Sequence, residues 1–299
     1  MTVSPAAAAP FRRRFFRAMG VAVECLVESE CPADDAFDEV EAEFERLEQI
    51  FSRFRDDSEL SRLNRAGRAV AGGELLEVVQ RALEARDRTG GRFDPTVHDA
   101  VTASGYDRTF AEVEAAGRAP RSAGVRCGGD VRVDPATHTI ALGKGARLDL
   151  GGIAKGWSAE RGCDVLQAVG PCLVNAGGDL AVRGRPAPGV WPISVETPEG
   201  DVTLGLRDGG MATSGRDVRR WLRNGCELHH LIDPATGAPA GGDVLRVTVV
   251  GADAVEAEVN AKALFLAGAD AAVVEADTRG LPCVVVTVDG RVLLGGGLG

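Results

Sequence analysis

RLDLGGIAKGWSAERGCDVLQAVGPCLVNAGGD, residues Arg147–Asp179, is the stretch from which the fold is read. Leu148-Asp149-Leu150 is strand-like, and Gly151-Gly152 allows a sharp turn with close approach of the main chain to a ligand. From Ile153 to Val169 the apolar residues Ile153, Trp157, Val165, Leu166 and Val169 recur at roughly helical spacing, with Lys155 in the first turn. Unpaired amides at a helix start attract phosphate, and an ammonium beside them adds a point charge. A second strand then runs into Asn175-Ala176-Gly177-Gly178-Asp179 and brings a further carboxylate. The pattern predicts a concavity for a phosphorylated ligand; the plainer alternative is a strand, turn and helix whose glycines serve packing alone. The order of residues in AKGWS is not that of a P-loop, and no GxGxxG follows a strand. A P-loop enzyme or a Rossmann dehydrogenase therefore fits poorly.

Around that centre, 299 residues of average hydropathy can form one large domain or two closely joined ones. With 34 basic against 44 acidic side chains the formal charge is -10, which disfavours nucleic acid or an anionic membrane as a bulk partner. An anionic ligand then requires a divalent metal or a few well-placed cations. The 7 cysteines are scattered, odd in number and form no CxxC, as expected of reduced thiols in the cytosol. The first residues have alanines ahead of arginines and no apolar signal core, so residues 1–14 read as a flexible leader before a domain at 15–299, with a cytoplasmic location expected. No stretch approaches the roughly 20 apolar residues of a membrane span.

In chain order, Met19–Val27 alternates like a strand, and Asp34 or Asp35 can cap a helix carrying Phe37, Val40, Phe44, Leu47 and Phe51. In FSRFRDDSELSRLN, residues 51–64, Asp57 or Ser58 looks like a second cap, while Phe54 and Arg55 either face a pocket or close the core. A helix is expected over Gly73–Thr89, stopped by Gly90-Gly91. Asp94 before Pro95 reads as a turn carboxylate. Residues 103–122 look like a variable surface insertion that holds the single tyrosine, Tyr106. A hairpin is expected at Gly129–Val133 and His138–Leu142, and strands at Ala181–Arg183, Trp191–Glu196 and Val202–Leu206 suggest an antiparallel sheet around the site. Met211–Gly215 offers two hydroxyls before a glycine. The densest polar cluster is His229–Gly237, where a histidine is either a general base or a satisfied core residue beside an Asp-Pro turn. Val244–Val250 reads as a strand and Ala254–Leu266 as a helix that puts Glu258 and Lys262 on one face, where the plain reading is an i, i+4 ion pair on a solvated surface. A last helix at Ala269–Asp277 precedes a terminal hairpin over Asp289-Gly290.

Taken together, Met19-Gly20, FSRFRDDSELSRLN, GGRFDPTV at 90–97, LDLGGIAKG at 148–156, LVNAGGD at 173–179, ATSG at 212–215, HLIDPATGAP at 230–239 and VTVVGADAVEAEVNAKALFLAG at 247–268 resemble, in order, the motifs of the ApbE family of flavin transferases. The likeness spans nearly the whole chain beyond the leader and suits a cytosolic, actinobacterial-like variant. It implies an α/β (α+β), T-fold-like unit with mixed, largely antiparallel sheets, flanking helices and a flavin cleft between them. The implied reaction moves FMN from FAD to a serine or threonine of an acceptor flavoprotein and releases AMP. The alternatives are a catalytically reduced FAD-binding protein and an FAD pyrophosphatase giving FMN and AMP. By the same resemblance, FAD contacts fall on Met19, Phe54, Arg92, Phe93, Asp94, Asp149, Lys155 and Ile232, and the base on His230. Mg2+ is implied at the Gly152 carbonyl and at two positions that hold aspartate and threonine in the family. Here those positions are Glu258 and Lys262, and an ammonium has donors but no lone pair for a metal. Either Lys262 replaces the metal, or it swings outward and leaves Mg2+ to Glu258 and Gly152.

Overall fold

The computed structural model describes residues 9–110, 112–113, 125–187, 189–223 and 226–298. Its frame is a wholly antiparallel sheet whose strands follow one another in chain order: β1 (Phe11–Ala18), β2 (Val21–Glu28), β3 (Cys172–Ala176), β4 (Asp179–Arg183), β5 (Gly209–Gly215), β6 (Val244–Gly251), β7 (Cys283–Thr287) and β8 (Val292–Gly295). Alternation along each strand sends residues to opposite faces. Val23, Cys25 and Val27 point to a helical layer, whereas Leu173, Leu180 and Met211 point to the other face.

That helical layer contains α1 (Asp34–Phe51), α5 (Ala154–Leu166), α6 (Ala254–Ala267) and α7 (Ala269–Arg279). In α1 the five apolar positions expected on one stripe are all buried. Asp34 and Asp35 occupy its first turn rather than its cap, where their charge still favours the helix dipole. Outside the layer, α2 (Glu59–Ala66) starts on Ser58, whose hydroxyl accepts the Ser61 amide at 2.9 Å, and α3 (Gly73–Arg88) follows; α4 (His98–Ala103) is a single short piece. Strands Arg68–Val70, Val131–Asp134 and Thr139–Leu142 form a separate three-stranded sheet against α2 and α3.

Several expectations are corrected. Residues 11–14, assigned to the leader, are the first half of β1; residues 1–8 lie outside the described residues. Met19 and Gly20 are not strand but a two-residue turn with φ of 50° and 71°, the handedness that suits a twisted hairpin. Leu148-Asp149-Leu150 is not a strand either. Asn64 brackets Leu148 by accepting its amide and donating to its carbonyl, both at 2.8 Å, so that peptide has no ladder left to join. The ribbon Trp191–Val195 with Val202–Leu206 does not surround the site; it covers the sheet face opposite the helices. Of the expected insertion at 103–122, residues 111 and 114–122 lie outside the described residues, and Tyr106 is buried rather than superficial. The six cysteines whose side chains are described, Cys25, Cys31, Cys127, Cys163, Cys172 and Cys283, are free thiols.

Candidate functional site

A cavity opens where the β1–β2 turn, the α1–α2 junction, the Gly151-Gly152 turn, the His230 segment and α6 converge, and every predicted site residue except Glu258 lines it. Two walls of different chemistry face it. One is aromatic: Phe54, 38 % exposed, lies 5.5 Å from the Tyr106 ring, and Tyr106 leans at 5.8 Å on Trp221. Arg53 stacks its guanidinium over Phe54 at 4.0 Å and over Tyr106 at 4.7 Å, which stiffens the wall by cation–π contact. An aromatic lining of this kind suits a planar heteroaromatic ligand.

The other wall is charged. At Gly156 the helices α5 and α6 cross so closely that a Cβ there would lie 2.6 Å from the Ala254 carbonyl oxygen. This approach sinks Glu258, 1 % exposed, into the floor. Its Oε2 accepts the Gly156 amide at 2.9 Å and its Oε1 meets the Lys155 Nζ at 2.5 Å. Lys155 also bridges Asp179 at 2.6 Å and reaches the Gly151 carbonyl at 3.3 Å. Lys262 stands 3.8 Å from the same Glu258 oxygen, and its Nζ is 3.2 Å from where a Cβ on Gly152 would sit. Gly152 keeps this corner uncrowded: a Cβ there would press on both Lys262 and Phe93, which would have to give by a few tenths of an ångström. The Glu258–Lys262 pair is thus part of a buried quartet of two ammonium and two carboxylate groups, not a surface pair.

Burial sets the electrostatics. It works against the Lys155 ammonium, but Asp179 and Glu258 more than offset it and hold the group above the ordinary lysine range. Asp179 is pushed up to about 6 by burial and by the neighbouring Glu258 charge, against the pull of Lys155 and Lys262. Burial also opposes ionisation of Glu258, yet Lys155, Lys262 and the Gly156 amide keep it below the usual carboxylate range. Lys262 is lowered by burial, only partly restored by Glu258.

The two adjacent histidines divide their roles. His229 is the satisfied core residue, with Nε2 2.9 Å from the Ala240 carbonyl and Nδ1 accepting the Leu231 amide at 3.3 Å. His230 lines the cavity, and its Nδ1 donates to the Arg219 carbonyl at 3.4 Å. A carbonyl only accepts, so this contact fixes the proton on Nδ1 and leaves the Nε2 lone pair available. Burial first, then the charges of Arg219, Lys262 and Lys155, hold His230 well below the ordinary imidazole range. It is a neutral base at neutral pH.

The remaining predicted residues differ in how free they are. Met19 has its amide on Glu48 at 3.0 Å and its sulfur near the Ser158 hydroxyl at 3.4 Å. Asp149 is bound by Arg53 at 2.9 Å and by the Gly151 amide at 2.7 Å. Arg92 is spent on Glu275 at 2.6 Å and on the Thr89 and Ala263 carbonyls, so its guanidinium is structural in this arrangement. Asp94 closes a turn onto Thr96, Phe93 packs beneath Gly152, and Ile232 belongs to the apolar cluster around Tyr106. Arg55 pairs with Glu45 and Glu48 and does not line the cavity, and Thr213, which pairs with Thr248 inside the sheet, does not line it either. Sequence reasoning missed Arg53, Tyr106 and Arg219 as cavity residues. The only available signals were the Arg-Phe step in FSRFR and the solitary tyrosine.

The donor set does not suit a divalent metal. Among the described residues no three of His, Cys, Asp and Glu converge on a metal position. Each carboxylate of the quartet already faces an ammonium, and Lys262 crowds the Gly152 turn where the third ligand was expected. The amides at the start of α5 are also partly used, since Gly156 serves Glu258 and Ala154 serves the Leu150 carbonyl.

Comparison with known proteins places these features in company. The model of the ApbE family matches residues 19–285. The FAD:protein FMN transferase of Treponema pallidum is 32 % identical over 281 residues, 84 % of this chain and 77 % of that protein. The enzyme of the same name from Vibrio cholerae is 28 % identical, covering 83 % of this chain and 78 % of its own. The crystal structure of the ApbE protein from Thermotoga maritima superposes with a TM-score of 0.82 at 25 % identity, covering 96 % of this chain and 97 % of that one.

Proposed function

The chain belongs to the ApbE family, and from that premise we propose that it is an FAD:protein FMN transferase whose cleft binds FAD as substrate and whose base is His230. The observation that carries the reading is the cavity itself: a neutral imidazole held through Nδ1 beside two ammonium groups, under an aromatic wall. The isoalloxazine lies against Phe54 and Tyr106, and the diphosphate faces Lys155 and Lys262. His230 Nε2 takes the proton of a serine or threonine hydroxyl on the acceptor. That oxygen forms a bond to the FMN phosphorus, the bond to the AMP phosphate oxygen breaks, and AMP leaves with the electron pair. Transfer at phosphorus gains chiefly from alignment and neutralisation of developing charge, which the resident cations supply. Met19, Arg92, Phe93, Asp94, Asp149 and Ile232 shape the cleft around the flavin, with Asp149 acting through Arg53.

The acceptor is a flavoprotein exposing a hydroxyl in a segment thin enough to enter the cleft. Lys262 in place of a metal ligand favours a second reading, in which FAD is held without turnover; hydrolysis to FMN and AMP is the third outcome the same groups can support. Incubating the protein with FAD and an acceptor separates them by product: a covalently fluorescent acceptor with AMP, intact bound FAD, or free FMN with AMP. His230→Ala is expected to keep FAD affinity and to lose transfer by roughly two to four orders of magnitude, the usual share of a general base. Unchanged transfer in that variant removes histidine from the mechanism. No described helix is long and apolar enough to cross a membrane. The cytoplasmic, actinobacterial-like assignment rests on the sequence, and cell fractionation checks the location.

A further inference from the structure

The floor of the cleft is electrically closed before any ligand arrives. Glu258 and Asp179 supply two negative charges, and Lys155 and Lys262 supply two positive ones, with Lys155 holding both acids at 2.5 and 2.6 Å. The two ammonium groups are not equivalent. Lys155 is saturated, since two carboxylates and the Gly151 carbonyl take its three protons. The carboxylate paired with Lys262 is 3.8 Å away, beyond hydrogen-bond reach, so this ammonium keeps N–H capacity in a cavity it lines. It stands over the Gly152 turn beside the Phe93 ring, where a Cβ on Gly152 would lie 3.0 Å from its Cε and 3.2 Å from its Nζ.

A divalent cation in this position meets three obstacles. Mg2+ demands about six oxygen ligands near 2.0–2.1 Å, whereas both oxygens of Glu258 are already engaged by the Gly156 amide and Lys155. Lys262 offers no lone pair. Its own charge would repel the ion at short range unless the side chain left, and leaving would strip Glu258 of its second cation.

We propose that the Lys262 ammonium occupies the place of a divalent cation in this cleft, so that the chain engages the FAD diphosphate, and transfers from it, without Mg2+. The inference rests on the transferase reading for the transfer step, and on geometry alone for the binding step. An arriving diphosphate gives Lys262 the partner that Glu258 only loosely provides, and burial makes that contact stronger than the same pair in water.

The test begins with binding, which is independent of turnover. The protein is stripped with EDTA, desalted and titrated with FAD while flavin fluorescence is followed, then titrated again with Mg2+ present. The expected result is an unchanged Kd. Lys262→Met, checked by thermal melting to be folded, is expected to weaken FAD by about tenfold or more, the loss of one buried charge contact. The pair E258D/K262T, which removes the ammonium and draws back the acid, is expected to bind FAD more tightly when Mg2+ is added. If wild-type affinity instead rises about tenfold with Mg2+, or if the paired variant stays indifferent to the ion, the proposal is overturned. With an acceptor present, transfer that persists in EDTA supports it and transfer restored only by Mg2+ defeats it. Metal-independent binding with no transfer under any condition would count against the transferase reading and leave the binding result standing.

Discussion

Arg219 touches His230 in two ways that can be separated: its carbonyl accepts Nδ1, and its guanidinium charge helps hold the imidazole below the ordinary range. Arg219→Ala keeps the carbonyl and removes the charge. The sign follows directly: a nearby cation disfavours a second one, so its loss raises the His230 pKa, and the base protonates at higher pH. The acid limb of kcat/KM, which reports the free enzyme, is expected to move up by about half a unit to one unit; a pH profile of flavin transfer measures it. An unmoved limb would place the guanidinium too far away to matter. Asp179, pushed up to about 6, adds a titration of its own in this window, and it should persist in the Arg219 variant. Single residues were the least legible part of the sequence. His230, Phe54 and Lys155 could be named in advance, but Arg53 could not be told from Arg55, because the two lie two residues apart on an irregular junction with no periodicity to say which of them lines the cleft. Glu258 and Lys262 look like a solvated helical pair until another helix buries them.

At the scale of elements, the crossing of α5 and α6 controls where Glu258 stands. Gly156→Ala places a methyl against the Ala254 carbonyl, and overpacking of that kind costs about 1–3 kcal/mol. The variant is expected to melt at lower temperature and, because the helices part, to bind FAD less tightly. Calorimetry and a flavin titration check both; a normal melt would mean that the crossing is soft. The long helices were legible because their apolar stripes repeat and face a single core, as the five buried positions of α1 do. Segments whose form depends on distant partners were not. Leu148–Leu150 has strand composition, yet Asn64 claims the Leu148 peptide, and that pairing bridges more than eighty residues of chain. Likewise Met19 holds φ of 50°, which is uncommon for a side chain of its size; its turn is set by the register of β1 on β2.

Across the whole molecule, the sheet separates stability from chemistry. The cleft lies on the helical side, whereas the ribbon built on Trp191 seals the opposite face. Trp191 is buried and its Nε1 donates to the Gly184 carbonyl at 3.1 Å. Trp191→Ala is expected to cost about 3–5 kcal/mol of stability while leaving FAD affinity in the folded fraction unchanged. Denaturant unfolding and ligand titration on one sample decide it, and a matching loss of affinity would mean that the two faces are coupled. The fold class was readable from alternating strands and spaced helices, but not which strands join the main sheet, since the 191–206 ribbon has the same local pattern. The cavity draws on Met19, Phe54, Phe93, Gly152, His230 and Lys262, positions scattered from the first hairpin to the penultimate helix. A growing polypeptide still tethered to the ribosome therefore has no flavin pocket until α6 emerges; competence is conferred near the end of synthesis, and half-made chains cannot sequester the nucleotide.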